Sequence, residues 1–355
     1  MRYFRSSVVG TFALTLIALA MNYYLSFYVG QWNGLWGFSA PELPRICKSF
    51  YAGVCERPGI TRDPTGYVRS DSAGEKEALR IRQRLLAQNP KLTLPQINDA
   101  LAREIYTSPR LQELRDAFAW VRNSMEDFID RQPHTVFTPR EKRHLKARLY
   151  KTRLQLPPPA SVYADEPDLL HSSGVFYERS AGSTEYRLRV GGGYLLSVKS
   201  WFNLIFTIAH ELGHVIDPCE LRVSGITVPA YDRLTACFLD QKLIASRTTR
   251  SECGRNDQLS ETFADWMAVQ ITAEALAARQ PEFQRRQLAS AALNTVRDLC
   301  EPQDGSWKVD TEYHPSPMIR IDRIFGNNPE IRRVLGCSES DSAVEYCSFE
   351  SKIQN

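Results

Sequence analysis

The run Leu204-Ile205-Phe206-Thr207-Ile208-Ala209 leads straight into His210-Glu211-Leu212-Gly213-His214. This junction constrains the chain more than any other. An apolar stretch of this kind, continued by two histidines four residues apart, predicts a helix with both imidazoles on one face. Two imidazoles stacked one turn apart can reach the same ion. Glu211, next to the first, can reach a water on that ion. The pattern is the HExxH arrangement of metal-dependent hydrolysis.

Two histidines leave a tetrahedral zinc one protein ligand short. Ser260-Glu261-Thr262-Phe263-Ala264-Asp265-Trp266 supplies the candidate. Glu261 and Asp265 share one helical face, Ser260 can start that helix, and Phe263, Met267 and Ile271 form its apolar side. Glu261 is the expected third ligand. Asp265 is expected to hold the far nitrogen of a ligand histidine, fixing its tautomer and raising its basicity. One zinc per chain, held by His210, His214 and Glu261, is the expected cofactor.

The rest of the chain frames this site. At 355 residues it can build a large core in one or two domains. A formal net charge of +3, with arginines scattered rather than laid in a stripe with aromatics, gives no nucleic-acid footprint. Arg2 and Arg5 precede an apolar run from Val8 to Val29. The run is long enough to span a bilayer, with Tyr23, Tyr24, Tyr28 and Trp32 at its far end. It also fits a signal peptide cleaved after Ala18-Leu19-Ala20, or a buried N-terminal helix. The anchor is the preferred reading, with the remainder outside the cytoplasm, and secreted if the N-terminus is cleaved. The eight cysteines all lie beyond this run, and none forms a CxxC pair. They therefore suit a disulfide-bonded domain rather than a thiolate metal site.

Three segments are expected: an anchor or signal peptide over 1–30, a cysteine-containing segment with a helical subdomain over 31–160, and a catalytic domain over 165–355. Leu101, Ile105, Leu111, Leu114, Phe118, Val121 and Met125 recur at helical spacing. Thr138-Pro139-Arg140-Glu141 starts a helix expected to run to about Leu154, and Pro157-Pro158-Pro159 ends it. Gly174–Glu178 and Tyr186–Val190 read as strands around Ala181-Gly182-Ser183, with strand-like character from Tyr186 as far as Leu196. Gly191-Gly192-Gly193 permits a bend or a close backbone approach. The fold class is α+β, mainly helical.

With these motifs in place the chain resembles the neprilysin family of zinc endopeptidases, within the gluzincins. His210, Glu211 and His214 fall on the family's HExxH, Asp217 on the aspartate three residues beyond, and Glu261 and Asp265 on its ExxxD. His314 and Arg320 keep the family's spacing between a transition-state histidine and a substrate-binding arginine. The tail from Asn328 through Cys337 to Cys347, and the aromatic-spaced pair Cys47 and Cys55, are also similar. The resemblance covers roughly residues 170–347.

It implies a zincin-like catalytic domain with a small sheet and a reduced N-terminal helical cap, since members are usually much longer. It also implies a zinc metalloendopeptidase hydrolysing peptide bonds outside the cytoplasm. Glu211 would be general base, with His314 and Asp265 also catalytic, and Arg320 would bind substrate. The family's substrate-binding Asn-Ala is most nearly matched by Gly174 and Val175. Gly213 replaces its usual threonine and Pro218 its second aspartate. By the family pattern Cys55 pairs with Cys300, Cys47 with Cys337 and Cys237 with Cys347, leaving Cys219 for Cys253. Peptides and the membrane are the expected partners; oligomeric state is not indicated. The alternatives are an anchored zinc-containing peptide-binding or structural protein without turnover, and a zinc amidase acting on cell-wall material.

Overall fold

The computed structural model describes residues 43–55, 71–156, 167–179, 185–198, 200–244, 258–300, 314–338 and 345–351. All of them belong to the unit Ala40–Asn355. Local signals set most boundaries. After α1 (Leu43–Lys48), α2 (Phe50–Cys55) and α3 (Asp71–Gln88), proline at the first or second position opens α4 (Leu94–Ile105), α5 (Ser108–Arg131) and α6 (Pro139–Lys151). Thr138 caps α6, accepting from Glu141 N, while the Glu141 carboxylate accepts from Thr138 N at 2.6 Å.

Helix α6 stops at Lys151 rather than Leu154. The next residues form β1 (Thr152–Gln155), which pairs parallel with β3 (Tyr186–Val190). Between them in sequence, β2 (Val175–Arg179) pairs antiparallel with β3, giving the order β1-β3-β2. The turn expected at Ala181-Gly182-Ser183 lies outside the described residues. Strand character ends at Val190, because the three glycines lead into α7 (Gly192–Ser197). They permit close backbone approach: a Cβ on Gly191 would meet the Ser172 carbonyl oxygen at 2.1 Å, and one on Gly192 the Leu170 carbonyl oxygen at 2.3 Å.

The remaining α-helices among the described residues are α8 (Trp201–Val215), α9 (Pro218–Val223), α10 (Pro229–Asp240), α11 (Gln258–Arg279), α12 (Arg285–Thr295) and α13 (Pro329–Leu335), and a π-helix spans Ile319–Phe325. Helix α8 is central. Phe202, Leu204, Ile205, Ile208, Ala209 and Leu212 are all buried, and α5, α11, α12 and β2 pack around it. The architecture is therefore α+β, mainly helical, with one small mixed sheet.

Three disulfides close the fold where the resemblance implies them: Cys47–Cys337, Cys55–Cys300 and Cys237–Cys347. Cys219 is disulfide-bonded as well; the expected partner, Cys253, lies outside the described residues. The membrane expectations need correction. No helix among the described residues is long and apolar enough to cross a membrane, so no membrane anchor, membrane partner or anchored localisation is retained. Residues 1–30, on which that expectation fell, lie outside the described residues.

Candidate metal centre

Ser200 caps the start of α8 by accepting from Asn203 N at 3.2 Å. The buried helix that follows delivers His210 and His214 one turn apart, with ring centroids 4.9 Å apart and nearly perpendicular planes. Helix α11 lies against α8 and presents Glu261 and Asp265 to them.

The imidazoles converge on one oxygen. Glu261 Oε2 lies 3.2 Å from His210 Nε2, 3.6 Å from His214 Nε2 and 2.9 Å from His314 Nε2. It is buried, yet none of these nitrogens aligns with it as a hydrogen-bond donor. One ligand atom each from His210, Glu261 and His314 lie within 4.8 Å of one another. The structure thus brings His314, expected as a transition-state histidine rather than a ligand, into a His-His-Glu set with His210 and Glu261, with His214 beside it. Imidazole nitrogens around a carboxylate oxygen are a donor set that suits zinc.

Each of the two helix histidines is held from behind. His210 Nδ1 is 2.9 Å from Asp265 Oδ1, as the sequence suggested for one ligand histidine. Burial opposes a charge on His210, but the Asp265 and Glu261 carboxylates beside it outweigh this and push its pKa up to about 10. Burial also opposes the Asp265 and Glu261 charges. Arg320 next to Asp265, and the histidines around Glu261, nevertheless hold both carboxyls well below the usual range. Behind His214, Nδ1 lies 3.0 Å from Ser260 Oγ and 3.4 Å from Asp217 Oδ2.

Asp217 has a second duty. Its Oδ1 accepts from Cys219 N and Glu220 N, both at 2.7 Å, capping α9. Pro218 occupies the first turn of that helix, where its missing N–H costs nothing. Glu211 keeps part of its surface accessible. Burial around its carboxyl pushes its pKa up, against the nearby positive charges of His210 and His214. Its Oε2 accepts from Tyr177 N at 2.9 Å.

That hydrogen bond orients β2. Since Tyr177 N–H points at Glu211 and not at β3, alternation turns the backbone groups of Val175, Tyr177 and Arg179 to the edge away from β3. The expected substrate residues differ in placement. Val175 stands on that edge with its side chain buried. Gly174 is engaged internally, its N–H on Ser172 Oγ and its carbonyl accepting from Gly191 N. Arg320 donates from Nε and Nη2 to Asp265 at 2.6 and 2.8 Å.

Two supporting residues escaped sequence reasoning. Ser260 looked like a helix start, and nothing in its spacing announced a contact with His214. Arg148, inside an ordinary amphipathic helix, donates from Nε to Val215 O at 2.7 Å at the end of α8, and from Nη2 to Glu220 Oε1 at 2.7 Å. Comparison of the chain with protein families, curated proteins and solved structures finds no match.

Proposed function

We propose that the protein is a zinc-dependent endopeptidase with a zincin-like catalytic domain of neprilysin type. The observation that carries this reading is the closure of three imidazole nitrogens on the buried Glu261 oxygen, with Glu211 next to His210 on the same helix. His210, His214 and Glu261 would hold the ion, with His314 within reach of the same oxygen. When bound, zinc lowers the pKa of a water and polarises a carbonyl.

The chain's own residues supply the remainder. A peptide laid antiparallel on β2 would pair with the outward backbone groups of Val175 and the outward carbonyl of Tyr177, whose N–H is already held by Glu211. Glu211 would take a proton from the attacking water and pass it to the leaving amine. Its acceptance of the Tyr177 N–H supports a base acting at the strand edge where the peptide would lie. His314, with a side chain 45% exposed, would donate to the developing oxyanion. Asp265 would keep His210 oriented, and Arg320 would either meet substrate carbonyls or serve through Asp265.

The test is zinc content and peptide cleavage in wild type, His210→Ala, Glu261→Ala and Glu211→Gln. The two ligand variants are expected to lose or weaken metal. Glu211→Gln is expected to keep metal and lose turnover by at least about 100-fold. Full zinc occupancy in both ligand variants, or near-normal cleavage by Glu211→Gln, would overturn the reading. Peptidoglycan fragments in the same assay separate a peptidase from an amidase.

A further inference from the structure

His214 is the less firmly held of the two helix histidines. His210 has a buried carboxylate directly on its Nδ1. The carboxylate behind His214, Asp217 Oδ2, stands at 3.4 Å, long for a hydrogen bond that must orient a ring. Between them lies a hydroxyl: Ser260 Oγ is 3.0 Å from His214 Nδ1 and 2.5 Å from Asp217 Oδ2.

The direction of this chain follows from donor counting. Asp217 Oδ1 already accepts two backbone N–H groups, and those bonds hold the carboxylate in place. Oδ2 can only accept when ionised, so the single hydroxyl proton of Ser260 goes to it. The Ser260 oxygen is then left with lone pairs only toward the ring. It must accept, so Nδ1 of His214 carries the proton. The Nε2 lone pair is thereby turned to the Glu261 side, where a ligand nitrogen is wanted.

We propose that the Ser260 hydroxyl is the positioning group for His214, relaying the Asp217 carboxylate to the ring and fixing it as an Nδ1–H tautomer for metal binding. The proposal rests on the metal reading of the site. It goes beyond that reading by assigning a role to a residue placed neither as ligand nor as base. It also accounts for one carboxylate doing two tasks: Asp217 caps α9 with one oxygen and, through Ser260, orients a histidine of α8 with the other.

The test compares Ser260→Ala, Ser260→Val and Ser260→Thr in the full chain. Valine and threonine have nearly the same shape, and only threonine keeps the hydroxyl. Zinc affinity is measured by competition with a chelator. Loss of about 10- to 100-fold is expected in the alanine and valine variants, with threonine close to wild type. Nitrogen-15 NMR of the zinc-loaded chain gives an independent readout. The His214 Nδ1–H should be present and slow to exchange in wild type and Ser260→Thr, and fast-exchanging in Ser260→Val.

A merely structural serine would change thermal stability without separating threonine from valine in that signal. Wild-type zinc affinity in Ser260→Val overturns the relay, as does an Nδ1 without a proton in the wild type. If Ser260→Ala and Ser260→Val do not fold, the wild-type NMR signal alone decides. Wild type that binds no zinc overturns the metal reading and the proposal with it, and this outcome is distinct from a relay failure in a zinc-binding protein.

Discussion

Arg320 grips Asp265 through two hydrogen bonds, Nε to Oδ2 at 2.6 Å and Nη2 to Oδ1 at 2.8 Å. Asp265 is 1% exposed and also carries His210 on Oδ1. A planar guanidinium, a buried carboxylate and an imidazole thus form one line into the candidate metal centre. Arg320 comes from a π-helix, Ile319–Phe325, a form of helix that often marks functional positions.

Removing Arg320 leaves Asp265 buried with His210 as its main partner. Arg320→Ala is expected to cost roughly 3–5 kcal/mol in denaturant unfolding at neutral pH. The sign with pH follows from the depressed carboxyl. Its contribution is fully present above the ordinary value of 3.8 and fades as pH falls toward the lower folded value. The gap between wild type and Arg320→Ala should therefore shrink at acid pH. An equal gap at pH 7 and pH 3 would show that the pair does not stabilise through charge.

Glu211 must be ionised to act as a base, and burial raises its pKa above 4.5. The acid limb of kcat/KM is therefore expected above the range of an ordinary glutamate, with activity falling as pH drops through it. A pH profile taken on a neutral peptide substrate reads this directly. An acid limb at or below 4.5 would contradict the burial argument.

His210 without metal keeps its proton up to about 10. Zinc needs the neutral ring, so binding at neutral pH should release a proton, and affinity should climb with pH until that value is reached. Calorimetry in buffers of different ionisation enthalpy measures the release. Zinc binding at pH 7 with no buffer dependence would argue that His210 is not a ligand.

The disulfides Cys47–Cys337 and Cys55–Cys300 tie α1 and α2 to segments 290 and 245 residues away. Closing such long loops constrains the unfolded chain, by about 2–4 kcal/mol per bond. Nearby, Asp322 of the π-helix accepts from Tyr51 N at 2.6 Å and Ser49 Oγ at 3.0 Å, so α2 also braces the helix that carries Arg320. Reducing agent should lower the melting temperature while leaving zinc bound below the transition, since no expected ligand is a cysteine. Loss of zinc before unfolding would reject that separation.

Much of this site was readable because helical periodicity is local. Four-residue spacing put His210 with His214 and Glu261 with Asp265, and Thr138-Pro139 with Glu141 announced the start of α6. What escaped depends on pairing across the chain. Thr152–Gln155 looks like the end of a helix until β3 offers it a partner. Ser260 matters only because α11 meets α8 and α9 there, and Arg148 only because α6 ends beside the last turn of α8. The third imidazole on Glu261, from His314, depends likewise on a segment far downstream, at a separation no local spacing encodes. The Cys47–Cys337 and Cys237–Cys347 pairings came from resemblance, since cysteine count alone leaves them open.

Gly213 shows the same dependence on packing and yields the last prediction. It departs from the threonine of the resembled family. A Cβ at this position would lie 2.9 Å from Ala264 Cα and 3.3 Å from Ala264 Cβ. The contact is with the backbone of α11, so no flexible side-chain end can yield. Helices α8 and α11 approach closely here, between His210 and His214 on one side and between Glu261 and Asp265 on the other. Gly213→Ala should therefore push the helices apart, costing about 1–3 kcal/mol by overpacking. Gly213→Thr should cost more. The displacement should also widen the gap between the histidines and Glu261, so zinc affinity should fall together with stability. Paired unfolding and chelator-competition measurements check this. A stable Gly213→Thr variant with wild-type zinc affinity would show that the close approach of α8 and α11 is not what sets the metal centre.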